Sequence, residues 1–400
     1  MEKITESRSI PRRFGQRPLQ RLIHLPMQLL KQAGWVINQF IERVYGLPLA
    51  RWQPFVLQTL YYLSAAVRLM SKPGESHIYL CKGISKTSGA PLTVQFIGAW
   101  KIGEDNSLAY FEQLLFEEGS VERSDLGSCS PGSMFTLARA VENSVDLVAV
   151  IANPFLLWVP AYGDWVIGPP GVRMVYDFSP GENWEQIQHR LQKAQEYNFR
   201  VLRKNGLAYH TSRHETDLEM FYNCMYLPFI TNRYKEHVDA VGMEYARKIF
   251  EKPGGSVLLI DSREGQPIAG GLEQVSHGVL YALINGVLDG DYNWVKKGAM
   301  TAWYLFEIQR AYELGCRRYD AGQVRPFVND GLYIHKHRWG FKPQLNYWKP
   351  QKILFWSPNS SPAALEWMKA HMFLPQFARA GGPNLRPEYQ KLRRETAEEN

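Results

Sequence analysis

The second half of this 400-residue chain alternates short apolar segments with longer amphipathic ones, and their order restricts the possible fold more than any other feature. Short runs rich in β-branched and aromatic residues predict strands at 207–210, 257–261, 267–274, 278–286 and 318–321. Apolar residues at helical spacing predict helices at 217–234, 242–250 and 294–314, with Gly315 closing the last one. With a final helix and strand after these, the resulting order is β-α-α-β-β-β-α-β-α-β, which indicates a mixed sheet flanked by helices.

The first half contains a looser version of the same mixture. Strands are predicted at 78–81, 92–97, 147–151 and 173–178, and helices at 133–143 and from Trp184 onward. Four hundred residues exceed what one core usually holds, so two domains with extensions are expected. We therefore predict an α+β or α/β fold with two tandem domains at 73–190 and 191–355. A helical extension (1–72) precedes them and a helical, polar tail (356–400) follows.

The positive charge of the chain is concentrated at its N-terminus. Residues 1–72 hold eleven Lys or Arg and three Glu, a net charge of +8, whereas the whole chain carries +7. Within 17–45, arginines are interleaved with apolar residues that include Trp35 and Phe40, and Pro26 should kink or break the helix. A basic amphipathic helix suits an anionic membrane surface. Packing of these helices on the body is an open alternative, and nucleic-acid binding is a third, which no RNA-binding motif supports.

The cysteines and the apolar runs exclude several classes of protein. Cys81, Cys129, Cys224 and Cys316 are far apart, which fits neither a zinc site nor a disulfide scaffold. The first sixteen residues lack the apolar core of a signal peptide, and no apolar run is long enough for a membrane span. We expect a cytoplasmic protein without a metal site, either free or peripheral to the inner face of the membrane.

Motifs between residues 173 and 350 carry a resemblance to a known family. They are Val175-Tyr176-Asp177-Phe178-Ser179 with Trp184, Arg190 and Gly206-Leu207; Asp217-Leu218 with Phe221-Tyr222 and Arg233; and Tyr319-Asp320-Ala321-Gly322 with Gly331-Leu332-Tyr333 and 335–342. Together they resemble the Fem-type aminoacyltransferases of the GNAT superfamily. Polysaccharide-linked, cellulose-associated GNAT proteins share the closing segment. The resemblance implies an acyltransferase with two tandem GNAT-like domains, of which the second is catalytic.

The closing segment supplies the candidate catalytic residues. In GNAT chemistry an amine attacks an activated acyl carbonyl directly, so the enzyme contributes positioning, proton removal and charge stabilisation. Asp320 could orient or deprotonate the amine, and Lys336 matches a family lysine that neutralises developing negative charge. Tyr333 could protonate the leaving group, while Arg325 and Asn329 are expected to bind substrate. Each has a structural alternative, such as a capping carboxylate, a surface lysine or a packed tyrosine.

Two further groups of residues are candidates for binding the substrates. In an acyl-CoA enzyme of this fold the pyrophosphate lies on backbone N–H groups at a helix start, and the matching stretch is Lys296, Lys297, Gly298 and Ala299. A lysine-rich helix start facing solvent is the alternative. Strict alternation along one strand would place three polar residues on one face with a glutamate of the preceding strand beside them, as an acceptor pocket or a solvent face. These residues are His277, Tyr281, Asn285 and Glu273.

The sequence leaves open which acyl donor is used and whether the protein is catalytically active. Only about fifty residues separate Gly206 from Val257, too few for the long helical hairpin that tRNA-using Fem enzymes often insert there. An acyl-CoA or acyl carrier protein donor is therefore favoured over aminoacyl-tRNA, with an amine on an envelope, polysaccharide or lipid-linked molecule as acceptor. The alternative function is a catalytically inactive GNAT-like scaffold that binds a polymer or a membrane-associated assembly through its basic N-terminus.

Overall fold

A computed structural model describes residues 27–47, 53–71, 76–98, 108–140, 144–158, 165–234, 240–349, 351–380 and 385–398. Its helices are α1 (Met27–Tyr45), α2 (Gln53–Ser71), α3 (Leu108–Leu115), α4 (Met134–Ala140), α5 (Trp184–Ala194), α6 (Glu196–Asn205), α7 (Glu215–Met220), α8 (Leu227–Tyr234), α9 (Met243–Phe250), α10 (Tyr292–Lys296), α11 (Ala299–Glu313), α12 (Gly331–Arg338), α13 (Pro362–Ala370) and α14 (Arg386–Glu398). A π-helix, Phe221–Tyr226, joins α7 to α8.

The strands are β1 (Ser76–Ile84), β2 (Pro91–Gly98), β3 (Glu122–Cys129), β4 (Leu147–Ala152), β5 (Val166–Gly168), β6 (Val172–Asp177), β7 (Ala208–Ser212), β8 (Gly255–Asp261), β9 (Pro267–Ser276), β10 (Val279–Val287), β11 (Arg318–Val324), β12 (Lys342–Leu345), β13 (Lys352–Trp356) and β14 (Arg379–Ala380). They form a first sheet, ordered β14-β5-β13-β4-β2-β1-β3, and a second sheet, ordered β12-β6-β11-β10-β9-β8-β7. Each sheet contains one parallel pair among antiparallel ones. The predicted architecture of two mixed sheets flanked by helices is confirmed.

The two sheets exchange strands across the predicted domain limits. β6, which the predicted limits assign to 73–190, pairs with β11 and β12 of the second sheet. β13 lies in 191–355 by the same limits, but it pairs with β4 and β5 of the first sheet. The predicted tail likewise returns to the first sheet, where Trp367 of α13 and Tyr389 of α14 are buried in its core. Both exchanged strands are mostly apolar, so local sequence does not distinguish between the two sheets, and their hydrogen-bonding partners decide the pairing.

The core of the second sheet surrounds α11 and the end of α12. Trp303 and Ile308 of α11 are buried against β9 and β10, while Tyr319 and Phe341 pack edge to face. The predicted helix 294–314 is two helices, because Gly298 has φ +96° and breaks it between α10 and α11. The helix predicted at 217–234 is present as α7, the π-helix and α8.

The helical extension packs on the second sheet. Ile41 and Tyr45 of α1 and Leu57 of α2 share a buried cluster with Val175 and Val279 of β6 and β10. Of the predicted amphipathic segment 17–45, residues 17–26 lie outside the described part of the chain. Within the described part, the helices of the extension form a hairpin against the body, as the packing alternative predicted. No described helix combines the length and the apolar character that a bilayer crossing requires.

Candidate active site

The second sheet opens between its two parallel strands. β10 and β11 pair for only three residues, which end at Tyr281 opposite Asp320. Beyond that point β11 continues along β6, with Gln323 opposite Arg173, while β10 continues along β9. Both strands change register where they part, because β10 carries one extra residue at Leu283 and β11 has an irregularity after Asp320. The result is a wedge between the ends of β10 and β11.

Asp320 lies at the closed end of this wedge and is fully buried. Its carboxylate accepts hydrogen bonds from Arg173 Nε at 2.5 Å, from the Tyr45 hydroxyl at 2.9 Å and from the Gly322 amide at 2.9 Å. Burial, and then the negative charge of Asp320, raise the pKa of Tyr45 well above its ordinary value. Asp320 is therefore well supplied with donors, and it holds Arg173 and the end of α1 in place.

Aromatic rings surround the Arg173 guanidinium on the same face of the sheet. Its carbon lies 5.5 Å from the centre of the Trp348 ring and 6.0 Å from that of Tyr281. The Tyr281 hydroxyl is buried and has no hydrogen-bond partner among the described residues. Burial, followed by Asp320, raises the pKa of Tyr281. This face thus combines a paired cation with an unsatisfied buried hydroxyl.

Lys336 reaches the wedge from α12. Its Nζ donates to the carbonyl oxygen of Ala321 at 2.5 Å, and only 4% of the residue is exposed. Burial lowers the pKa of Lys336 to about 7, although the charge of Asp320 opposes this shift. A lysine in this environment changes its protonation state near neutral pH. The structure therefore brings Lys336 and Asp320 together at the strand ends.

The loop between β11 and α12 is held by its own contacts. Asp330 caps α12 by accepting from the Tyr333 amide at 2.9 Å, and it pairs with Arg325 at 3.6 Å. The Asn329 amide donates to the Ala370 carbonyl at the end of α13. The Tyr333 ring is partly buried and packs 5.5 Å from His337 on the next turn of α12. Arg325 and Asn329 thus fix the loop, which makes α12 a stable base for Tyr333 and Lys336.

The predicted phosphate loop lies at the start of α11. Lys296 and Lys297 are exposed, and the Lys297 ammonium lies 4.3 Å from the centre of the Trp294 ring. Gly298 and Ala299 are buried, and a Cβ on Gly298 would lie 3.0 Å from Val201 of α6. Gly298 is thus required for helix packing and for its positive φ.

The residues predicted to share one face of a strand lie apart. His277 has φ +50° and occupies the two-residue turn between β9 and β10, so it is not part of the strand. The bulge at Leu283 breaks the alternation, so Asn285 lies opposite Gly271 and shares the face of Ala282 rather than that of Tyr281. Of the four residues, only Tyr281 is on the Asp320 side.

Glu273 is on the opposite face and is fully buried. It lies opposite Ala282 and pairs with Arg310 of α11 at 2.5 Å, and it accepts from the Ser256 hydroxyl at 2.6 Å. The predicted acceptor pocket of His277, Tyr281, Asn285 and Glu273 is therefore not formed as one surface, because a bulge and a turn change the direction of the side chains.

The sequence motifs did not identify Tyr45 and Arg173, which both contact Asp320 at the centre of the site. Tyr45 is distant in sequence, and no local pattern links it to Asp320. One sequence feature could have indicated Arg173, because it is a charged residue within the mostly apolar strand Val172–Asp177. Among the described residues, no group of three or more His, Cys, Asp or Glu could hold a metal ion.

The comparisons with known proteins extend to folds only. No protein-family profile matches the chain, and no curated protein matches it. The C-terminal DUF2156 domain of an Agrobacterium fabrum protein is 15% identical and aligns over 84% of this chain and 96% of its own, with a TM-score of 0.34. FemX is 12% identical over 67% of this chain and 82% of its own, with a TM-score of 0.35.

A GCN5-related N-acetyltransferase from Sphaerobacter thermophilus is 14% identical over 52% of this chain and 58% of its own, with a TM-score of 0.30. The order of the elements in this chain is stronger evidence for the fold than these comparisons. From β7 to β12 its elements follow the order predicted from the sequence, with a mixed sheet that opens after Asp320. The predicted mixed α/β fold, with the element order expected for a GNAT-like domain, is confirmed.

Proposed function

We propose that this protein is an N-acyltransferase that moves an acyl or aminoacyl group from an activated thioester or ester to an amine. The observation that carries the proposal is the wedge between β10 and β11, with the buried Lys336 ammonium at its closed end. A wedge of this kind exposes backbone N–H and C=O groups that can hydrogen-bond the polar atoms of a donor, and it brings the acyl carbonyl to a buried charge.

The residues at the wedge suit the steps of direct transfer. Attack by an amine places negative charge on the acyl oxygen, and Lys336 is positioned to stabilise it from a buried site. Because the pKa of Lys336 is about 7, its neutral form can take the proton that the amine loses, and the ammonium so formed stabilises the acyl oxygen. Asp320 acts by positioning Arg173 rather than as the base, because its oxygens are already bound. Tyr333 lies one turn before Lys336 and is the proposed proton donor to the leaving group.

An acyl-CoA is the proposed donor. On β10, Val287 lies six positions after Tyr281, which is about 20 Å at the usual rise of a strand. The exposed Lys296 and Lys297 follow the end of this strand and would meet the phosphates of a donor whose acyl end lies at Lys336. An acyl carrier protein is a second donor of the same chemistry, and aminoacyl-tRNA a third. The proposed acceptor is an amine on an envelope, polysaccharide or lipid-linked molecule, reached from the inner side of the membrane.

The activity can be tested directly. Purified protein is incubated with a panel of acyl-CoA thioesters and simple amines, and release of the free CoA thiol is measured. Lys336→Met should lower kcat by about a hundredfold or more with little change in KM, since the interaction forms in the transition state. Lys342→Met, at an exposed position of β12, is the matched control.

The alternative, a GNAT-like scaffold without activity, predicts no thiol release from any donor. It also predicts that mass spectrometry of the purified protein finds no retained CoA thioester. Equal turnover of Lys336→Met and wild-type protein would instead show that acyl transfer occurs without the proposed role of Lys336.

A further inference from the structure

The outer face of the α1–α2 hairpin exposes an unusual amount of apolar surface. Fifteen large hydrophobic side chains are exposed among the described residues, and eight of them lie between residues 29 and 63. Trp35 is 65% exposed and Phe55 is 76% exposed. Isolated exposed apolar residues are normal, but a contiguous group marks a binding surface.

These side chains follow the helical repeat. On α1 the exposed positions are Leu29, Gln32, Trp35, Val36, Phe40 and Arg43, which recur at helical spacing and therefore lie on one side as a stripe. On α2 the exposed residues are Phe55, Thr59, Tyr62 and Leu63, which also share a face. The opposite faces of both helices carry the buried side chains that contact the body. Each helix therefore has apolar residues on two sides, and the described residues of the body cover only the inner side.

The charged residues in the sequences of the two helices are mostly basic, namely Lys31, Arg43 and Arg68. Glu42 is the only acidic residue in either helix, and it lies near Tyr281 on the body side. The outer stripe carries the exposed Arg43, and residues 1–72 have a net charge of +8. A second copy of the chain would bring the same positive charge to the interface, which opposes self-association. An anionic lipid surface complements both the charge and the aromatic side chains, which favour the bilayer interface.

We propose that the outer face of the α1–α2 hairpin, with Trp35, Phe40 and Phe55 as its inserting side chains, docks the protein on an anionic lipid bilayer. Aliphatic residues such as Leu29, Val36 and Leu63 distinguish this surface from a platform that stacks nucleic-acid bases. Tyr45, at the C-terminal end of the same helix, donates a hydrogen bond to Asp320, so one helix joins the docking surface to the closed end of the wedge. This inference extends the proposed role at the membrane, and it identifies the surface responsible.

The test compares vesicle binding of the full chain and two triple variants. The first variant is Trp35→Ser, Phe40→Ser, Phe55→Ser. The control is Leu126→Ser, Tyr197→Ser, Tyr245→Ser, which removes side chains of similar exposure from β3, α6 and α9. Co-sedimentation is measured with vesicles of phosphatidylcholine alone and of phosphatidylcholine mixed with phosphatidylglycerol, and thermal unfolding checks each fold.

Wild-type protein and control should bind the phosphatidylglycerol vesicles, with weaker binding at high salt. The Trp35, Phe40, Phe55 variant should bind the phosphatidylglycerol vesicles at least about tenfold more weakly than wild type, because its inserting side chains are removed. Equal binding by that variant would overturn the proposal, as would equal binding of neutral and anionic vesicles. The proposal would also be overturned if wild-type protein did not bind vesicles but formed dimers or bound single-stranded RNA. No acyl donor is present, so these outcomes are independent of the proposed transferase activity.

Discussion

At the scale of single residues, the second sheet buries charged groups on both faces. Asp320 and Arg173 form a pair on the α1 side, and Glu273 and Arg310 form another on the α11 side. Burial of a charge is costly unless a partner compensates, so each pair is sensitive to the loss of one member. Glu307 differs from them. It is fully buried beside Glu273 and Trp303, yet neither of its carboxyl oxygens makes a hydrogen bond of good geometry.

Glu307→Gln should therefore change how stability depends on pH. Burial, followed by the charge of Glu273, raises the pKa of Glu307 well above its ordinary value. The folded protein then binds a proton that the unfolded chain releases, so stability is full below the ordinary carboxyl pKa and declines as pH rises. Glutamine is neutral throughout and avoids this decline. Urea unfolding should find the variant more stable than wild type by about 1 kcal/mol or more near pH 8, with a smaller difference near pH 5.

Glu219→Gln, on the surface of α7, is the control and should follow wild type at both pH values. Parallel stability curves for wild type and Glu307→Gln would contradict the raised pKa. A loss of stability in Glu307→Gln at both pH values would instead indicate that the carboxyl group donates a hydrogen bond which glutamine does not replace.

At the scale of elements, the docking of the helical hairpin depends on one close backbone approach. Arg317 donates through its Nε to the Gly46 carbonyl at 2.7 Å, just after the end of α1. A Cβ on Gly46 would lie 2.0 Å from the carbonyl oxygen of His277 in the β9–β10 turn. The turn, with its left-handed His277, thus forms part of the surface that receives α1.

Gly46→Ala should lower the free energy of unfolding by about 1–3 kcal/mol, because the backbone must move apart. Gly34→Ala within α1 is the matched control, since its Cβ would meet Val67 at an ordinary 3.6 Å. That change should stabilise the protein by roughly 0.5–1 kcal/mol through helix propensity. Denaturant unfolding and limited proteolysis of the hairpin measure both effects. If the two variants behave alike, the close contact at Gly46 does not hold the hairpin.

At the scale of the whole molecule, the exchanged strands join the two sheets into one structure. β13 lies between β4 and β5, and Ile353 and Leu354 are fully buried. A chain that ends at residue 349 would lose the middle of the first sheet, together with α13 and its buried Trp367. We expect that truncation to be insoluble or to lose cooperative unfolding. A chain that ends at residue 394 keeps both elements and should unfold as wild type does, as measured by circular dichroism during heating. Cooperative unfolding of the shorter chain would contradict a central role for β13.

Local sequence patterns predicted many of the helices and strands correctly. The helix at 217–234 follows from its apolar spacing, and the strands at 257–261 and 318–321 follow from short apolar runs that are buried on both faces. The closing segment likewise identified Asp320 and Lys336, which the structure brings together. Alternation failed at Asn285 and His277, where a bulge and a turn depend on the pairing of β9 with β10.

The sequence by itself determined the order of the elements, the mixed α/β class and the positive charge of the N-terminus, since these depend on near neighbours in the chain. Only the tertiary structure decided which strands exchange and that Tyr45 and Arg173 bind Asp320. It alone also decided that the apolar residues of the hairpin divide into a covered inner face and an exposed outer one. Each of these depends on contacts between segments more than a hundred residues apart, which local propensity does not encode.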